Sequence, residues 1–461
     1  MEERFNFEKM AEYFDKYSFY TDGKIERDIE NNRKGPFIIE ITDSGGNPVK
    51  NAFVKVKQIS HEFNFGCSLF LLNELGCDTK NEQYKEYFKK AFNYAVIPLY
   101  WDALEPEKGK PRFSSDSKKI YRRPPVDTAV GFCRENGIRM KGHCLMYHSF
   151  NPDWIPDNHR ELKILVDKRL REIGERYGND FTDVDVINEL YSKYKCLYGE
   201  AEKIRKFPIA DEKDHVNWCF SEAKKYFPFS RLFWNEGCYE VFGQPAYTGD
   251  KSWYYLMLDK YLKEGAAIEG IGMQFHAFGL ESDNKLIYNA VRQLDLLETY
   301  SKLDLPIHIS EVSIPSYSNE KADEEMQAML LKRLLSLWFS QKNVNSVIWW
   351  NLVDGTAYGD ENKFHAGLLR NDMTPKPAFK VWNELVNKTW RTEFSHECKN
   401  GNEISFNGFY GDYEIEVTAN GKTVKKELSL TKDGTGYHNQ ISYNNAMYSD
   451  CGLRSKKIII D

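Results

Sequence analysis

DVDVIN, residues 183–188, is a short β-rich run that ends in Asn188 and passes directly into Glu189. It is one of eight such runs. FNFGCSLF (63–70), YAVIPLY (94–100) and RMKGHCLMY (139–147) come before it. RLFWN (231–235), EGIGMQFHA (269–277), PIHISEV (306–312) and SVIWWNLV (346–353) come after it. Longer amphipathic stretches, such as 163–177, 252–264 and 322–341, lie between them and read as helices. Eight strands separated by helices point to an α/β fold, a closed parallel (β/α)8 TIM barrel over residues 61–389. A doubly wound open sheet has the same alternation and is the alternative.

The flanks read differently. Residues 1–34 are polar with scattered aromatics and suggest one or two helices packed on something larger. FIIEIT and AFVKVKQ, within 36–58, alternate with period two around DSGGNPVKN and predict a β-hairpin. Residues 1–60 are thus a helical segment plus a hairpin. Residues 390–461 predict a small antiparallel β module, with a hairpin around Asn420-Gly421 and a last strand in KKIIID. The 36–58 strands are candidates for the same sheet. Phe406, Phe409, Tyr410, Tyr413, Tyr437 and Tyr443 could form a sugar platform there, but a structural cap is the simpler expectation.

Composition narrows the function classes. The 461 residues carry a net charge of −6, which argues against a nucleic-acid partner. No apolar run approaches a membrane span. Nine cysteines are widely spaced with no C-x-x-C, so neither a zinc ribbon nor a disulfide framework is expected. The start, MEERFNFEKMAEYF, lacks an apolar signal core. That favours a cytoplasmic location, or an extracellular one if a leader has been removed. Aromatics make up 15% of the chain, enough to fill cores and line a ligand cleft. Nothing here speaks to oligomeric state.

In a (β/α)8 barrel the chemistry sits at the C-terminal ends of the strands. There the third run carries His143 and His148 and the fourth ends in Asn188-Glu189. The sixth holds Gln274 and His276, the seventh His308 and Glu311, and the eighth Trp349, Trp350 and Asp354. Two carboxylates flanking a sugar bond are what glycoside hydrolysis requires, and indoles offer apolar faces to a sugar ring. A lone strand-end glutamate is more often solvated or salt-bridged, and a lone histidine more often sits satisfied in a core. A histidine-based metal centre competes weakly, because H-E-x-x-H is absent and His143 and His148 fall on opposite faces of one predicted strand. Serine-based acyl transfer lacks G-x-S-x-G.

Six blocks together resemble family 10 glycoside hydrolases, mostly endo-β-1,4-xylanases. They are GHCLMYHSFNPDW (142–154), DVDVINE (183–189), LFWNE (232–236), IEGIGMQFH (268–276), IHISE (307–311) and LLRNDMTPKPAF (368–379). The resemblance implies a (β/α)8 barrel that hydrolyses with retention and needs no cofactor and no metal. It also implies an oligo- or polysaccharide substrate. By the same resemblance Glu189 matches the acid/base and Glu311 the nucleophile. Asn188 matches the residue that binds the sugar 2-hydroxyl, and Asn235 a polar group on the leaving-group side. His143, His148, Gln274 and His276 match groups shaping the site of the attacked sugar, and Trp350 matches its floor.

The chain departs from that family at substrate contacts. N-x-M-K-W is Ile97-Pro98-Leu99-Tyr100-Trp101 here, and W-H-S-Q is Tyr147-His148-Ser149-Phe150. Ser313 stands where an Asp is usual, and Tyr358 aligns with a second cleft tryptophan. Tyr100 and Tyr358 are therefore expected substrate contacts of a different kind. A site lacking those polar groups suits a decorated or different β-glycan as the alternative to plain xylan. Arg122 and Arg123, in IYRRPPVD (120–127), read either as solvated residues before a helix or as an anion site. A sugar-binding protein on a hydrolase scaffold is the non-enzymatic alternative, opposed by the intact carboxylate pair.

Overall fold

A computed structural model describes residues 7–191, 207–243, 248–278, 287–399, 401–432 and 455–460. The chain divides into two compact units, Met1–Gly23 with Phe65–Trp382 and Lys24–Asn64 with Asn383–Asp461. Helices Phe7–Asp15 and Ser18–Arg33 open the chain, followed by strands β1 (Lys34–Thr42) and β2 (Ala52–Gln58). The barrel strands come next: β3 (Asn64–Ser68), β4 (Tyr94–Pro98), β5 (Arg139–His143), the short β6 (Met146–Tyr147) and β7 (Phe181–Asn188). They continue with β8 (Arg231–Glu236), β9 (Gly270–His276), β10 (Ile307–Ser313) and β11 (Val344–Trp349).

The spatial order is β5-β4-β3-β11-β10-β9-β8-β7, and β7 pairs back onto β5. That pairing closes the ring and removes both edges, so the open doubly wound alternative is excluded. The strands run parallel. Every residue of β3, β4 and β10 is buried. Such strands are covered on both faces, which is why they read as near-continuous apolar runs. Helices His159–Tyr177, Trp253–Lys263 and Lys321–Ser340 occupy the amphipathic stretches. The first is started by Asn158, whose side chain accepts the Glu161 N–H at 3.0 Å.

The run 139–147 is two strands, not one. The Arg169 guanidinium donates to the carbonyls of Cys144 and Leu145, between the two, and to that of Leu99. His148 therefore lies beyond β6, and the opposite-face argument for His143 and His148 does not apply.

The second unit holds two sheets. One is three-stranded in the order β13-β1-β16, with β13 Glu403–Phe409 and β16 Ser455–Ile459. The other is four-stranded in the order β12-β2-β14-β15, with β12 Glu393–Cys398, β14 Gly411–Ala419 and β15 Lys422–Leu430. The expected hairpin over 36–58 is thus corrected: β1 and β2 are strands in separate sheets. Their apolar alternations, Phe37, Ile39 and Ile41 against Ala52, Val54 and Val56, meet in one core cluster. Period-two alternation sets which face is buried and says nothing about which neighbour supplies the hydrogen bonds. Asn51, at φ 57, lies between the turn and β2. The hairpin at Asn420-Gly421 does form, between β14 and β15, with both turn residues at positive φ. Phe409 and Tyr413 are buried in this unit, and Phe406 and Tyr410 pack against its core. They present no platform; Tyr437 and Tyr443 lie outside the described residues.

Candidate active site

Strands β7 and β10 deliver the two carboxylates. Glu189 directly follows β7 and Glu311 sits near the end of β10. Both adopt left-handed backbone conformations, φ 51 and φ 54. Such conformations in non-glycine residues cost on the order of 1–3 kcal/mol and cluster where geometry serves function. The register of β10 slips against β9 between Ser310 and Ser313, and against β11 between Ile309 and Val312. Irregularities of this kind re-aim a side chain at a strand end.

One amide links Glu311 to the end of β7. Asn235, at the end of β8, donates through Nδ2 to Glu311 Oε1 at 2.7 Å and to Asn188 Oδ1 at 2.8 Å. Its own Oδ1 accepts from Ser310 Oγ at 2.5 Å, which fixes the amide orientation. Glu189 Oε1 accepts from Gln274 Nε2 at 2.9 Å and Oε2 accepts from Tyr147 at 2.6 Å. His276 Nε2 lies 3.2 Å from Glu311 Oε2, and its Nδ1 lies 3.0 Å from Ser313 Oγ. His143 Nε2 is 3.1 Å from the Tyr100 hydroxyl and 3.8 Å from Glu311 Oε1. Its Nδ1 contacts Asp185 Oδ2 at 2.8 Å, and Asp185 also pairs with buried Lys141 at 2.7 Å. Trp350 stands edge-on to His143, His276 and Phe70 and closes the base of this group.

The electrostatics act on Glu189 and on its neighbours. Burial and then the charge of Glu311 raise the pKa of Glu189, and the hydrogen bonds from Tyr147 and Gln274 only partly oppose them. Burial disfavours the charged form of His276, but the hydrogen bond and charge of Glu311 outweigh it and raise the imidazole. Burial acts to raise Asp185, yet Lys141 and His143 hold it below the usual carboxylate range. Such a site can hold one carboxyl protonated beside a second that is hydrogen-bonded and free to attack.

Most of the residues singled out from sequence thus converge: Glu189, Glu311, His143, Asn188, Asn235, Gln274, His276, Trp350 and Tyr100. His148 is buried in a small cavity shared with Leu190, Phe207 and His215, edge-on to Tyr147 at 4.9 Å. Tyr358 is 55% exposed and touches Phe150 edge-on at 5.4 Å. Three rim expectations are corrected. His308 stacks on Phe233 at 4.0 Å and contacts Lys141, and burial and then the nearby cations push its pKa well down. Asp354 is taken by buried Lys376 at 3.2 Å and the Gly367 N–H at 2.7 Å. Trp349 is fully buried, its indole donating to the carbonyls of Asn351 and Ala366. Arg122 is buried against Phe70 and Asn351 rather than solvated, while Arg123 is half-buried on the ring of Tyr100. Asp185, Ser310 and the Tyr147–Glu189 contact were not anticipated. Asp185 looks like one more polar residue in an apolar run, and only the alternation of DVDV, which sends both aspartates to one face, hints at it.

A family model described as glycosyl hydrolase family 10 matches residues 59–385. Relatives include anti-sigma-I factor RsgI6 of Acetivibrio thermocellus, 25% identical over 397 residues, covering 85% of this chain and 46% of that protein. Endo-1,4-beta-xylanase 3 of Arabidopsis thaliana is 26% identical over 421 residues, covering 89% of this chain and 50% of that protein. The chain therefore spans about half the length of these relatives. Among solved structures, xylanase 10B from Thermotoga petrophila, in complex with xylobiose, superposes with a TM-score of 0.57 at 21% identity. It covers 71% of this chain and 95% of its own and shares the closed barrel. With the family model spanning most of the sequence and the barrel carrying its carboxylates at the strand ends, the chain belongs to glycosyl hydrolase family 10.

Proposed function

We propose that the chain is a retaining glycoside hydrolase that cleaves β-1,4-linked xylose units by double displacement. The observation that carries this reading is the Asn235 bridge, which couples Glu311 to the Asn188-Glu189 strand end while Glu189 is held toward its protonated form. Glu311 attacks the anomeric carbon while Glu189 gives its proton to the departing oxygen. Forming the glycosyl ester removes the negative charge of Glu311 and with it one of the two causes raising Glu189. Glu189 then accepts a proton from water, which attacks the anomeric carbon and frees Glu311. Asn235 and His276 hold Glu311 in place, while Gln274 and Tyr147 hold Glu189. Relatives named endo-1,4-beta-xylanase support xylan as the default substrate.

A second reading, a decorated or different β-glycan, is favoured by the wall itself. Tyr100 contacts Phe150 at 5.0 Å, and Phe150 contacts Tyr147 and Tyr358, so the side wall is aromatic rather than rich in hydroxyl-binding groups. Hydrolysis of a panel of defined β-linked oligosaccharides, with products weighed by mass spectrometry, tests both. Release of shorter xylosides, absent in Glu311→Ala, supports the first reading. Cleavage confined to substituted or non-xylose glycans supports the second. Binding with no product from any member of the panel contradicts both.

A further inference from the structure

Several arginines of the barrel have settled partners. Arg134, Arg176, Arg231 and Arg370 pair with Asp180, Asp127, Asp183 and Glu324. Buried Arg169 is satisfied by carbonyl groups. Arg122 is buried at φ 62 and donates to Asn351 Oδ1 at 2.9 Å and to the Thr356 carbonyl. Arg123 rests on the aromatic wall. Its guanidinium carbon is 4.0 Å from the centre of the Tyr100 ring, 5.4 Å from Phe70 and 5.6 Å from Phe150. Its side chain makes one hydrogen bond, from Nη1 to the Arg122 carbonyl at 3.0 Å. No carboxylate among the described residues pairs with it. Glu361 acts on Arg122, and Glu311 and Glu189 act on Tyr100.

We propose that Arg123 is the anchor of a subsite for an acidic sugar, most simply a uronic acid substituent on the glycan, and this rests on reading the cleft as a sugar site. A guanidinium stacked on aromatic faces is fixed in orientation while its edge keeps donors for a planar anion. A carboxylate fits that edge bidentately. The same wall offers the apolar faces of Phe150 and Tyr358 to the sugar ring that bears the carboxylate. Its position next to the reacting carboxylates follows from Tyr100, whose ring carries Arg123 and whose hydroxyl touches His143, beside Glu311. Apart from the bond to the Arg122 carbonyl, the Arg123 guanidinium has no hydrogen-bond partner among the described residues, so its remaining donors can serve an anion.

The test measures binding by calorimetry in the turnover-blocked Glu189→Gln protein. The probes are xylotriose and xylotriose bearing one glucuronic acid. The substituted ligand is expected to bind about tenfold more tightly, the increment of one charged hydrogen-bonded contact. Arg123→Gln abolishes that ratio, Arg123→Lys keeps part of it, and added salt reduces it. Unchanged melting temperatures check that the variants fold. Equal affinities for the two ligands, a ratio unaltered by Arg123→Gln, or no binding of either overturns the subsite. Hydrolysis of both ligands by the wild-type chain is measured alongside. No hydrolysis with the acidic preference intact removes the proposed activity and leaves the anion site standing.

Discussion

Replacing Tyr147 by Phe removes a single 2.6 Å hydrogen bond to Glu189 Oε2 and leaves the ring in place. The bond favours the ionised carboxylate over the neutral acid. A hydrogen bond to a charged group is worth roughly 1.5–3 kcal/mol net and one between neutral groups roughly 0.5–1.5 kcal/mol. The difference, about 1–1.5 kcal/mol, is the part that sets the ionisation, and at about 1.4 kcal/mol per pH unit it amounts to roughly one unit. The sign follows from the role. On the proposed mechanism activity is lost on the alkaline side as Glu189 surrenders its proton. Removing a group that stabilises the anion raises the Glu189 pKa further, so the alkaline limb moves to higher pH. The assay is kcat/KM against pH for wild type and Tyr147→Phe, since kcat/KM reports ionisations of the free enzyme. An alkaline limb that stays put, or moves to lower pH, refutes the assignment of Glu189 as the acid held by Tyr147.

Glu189→Gln is expected to raise thermal stability at neutral pH. Burial and the charge of Glu311 place the folded pKa above the unfolded one. The wild type's stability from this group is therefore complete below the ordinary carboxylate range and is lost as pH rises through the raised value. The melting-temperature gain should grow as pH rises above about 4.3; a gain independent of pH contradicts this. Asp185→Asn strands the buried Lys141 charge and should cost about 3–5 kcal/mol in urea unfolding at pH 7. Because Asp185 is held below its ordinary range, the wild-type contribution is present above about pH 3.9 and lost as pH falls through the folded value. A loss under about 1 kcal/mol means that the pair carries no net weight.

The barrel was legible because parallel strands buried on both faces stand out as apolar runs, and because VINE and ISE end two of them. The strand ends placed both carboxylates on the rim, and the family resemblance singled them out among the rim residues. The side-chain network was not legible. Asn235 orienting two groups at once depends on Ser310 and on register slips in β10, which leave no mark in the local pattern. His308 and Asp354 were misplaced on the rim because strand position says how far along the barrel a residue lies, not whether it faces the cleft or a charged neighbour below it. The solvated reading failed for Arg122 because its side chain is buried against Phe70 and Asn351, the latter a contact between distant parts of the chain. The 36–58 hairpin failed for a related reason, since alternation marks a buried face and two sheets facing one core satisfy it as well as one.

The covalent intermediate is the most direct test of the account. A 2-deoxy-2-fluoro β-xyloside with a good leaving group slows both steps but lets the glycosyl ester accumulate. The wild-type chain is incubated with it, digested, and mapped by mass spectrometry. The account predicts one added fluoroxylosyl group on the peptide containing Glu311, with Glu311→Ala unlabelled. A label on any other residue, or substrate turnover with no label at all, contradicts it.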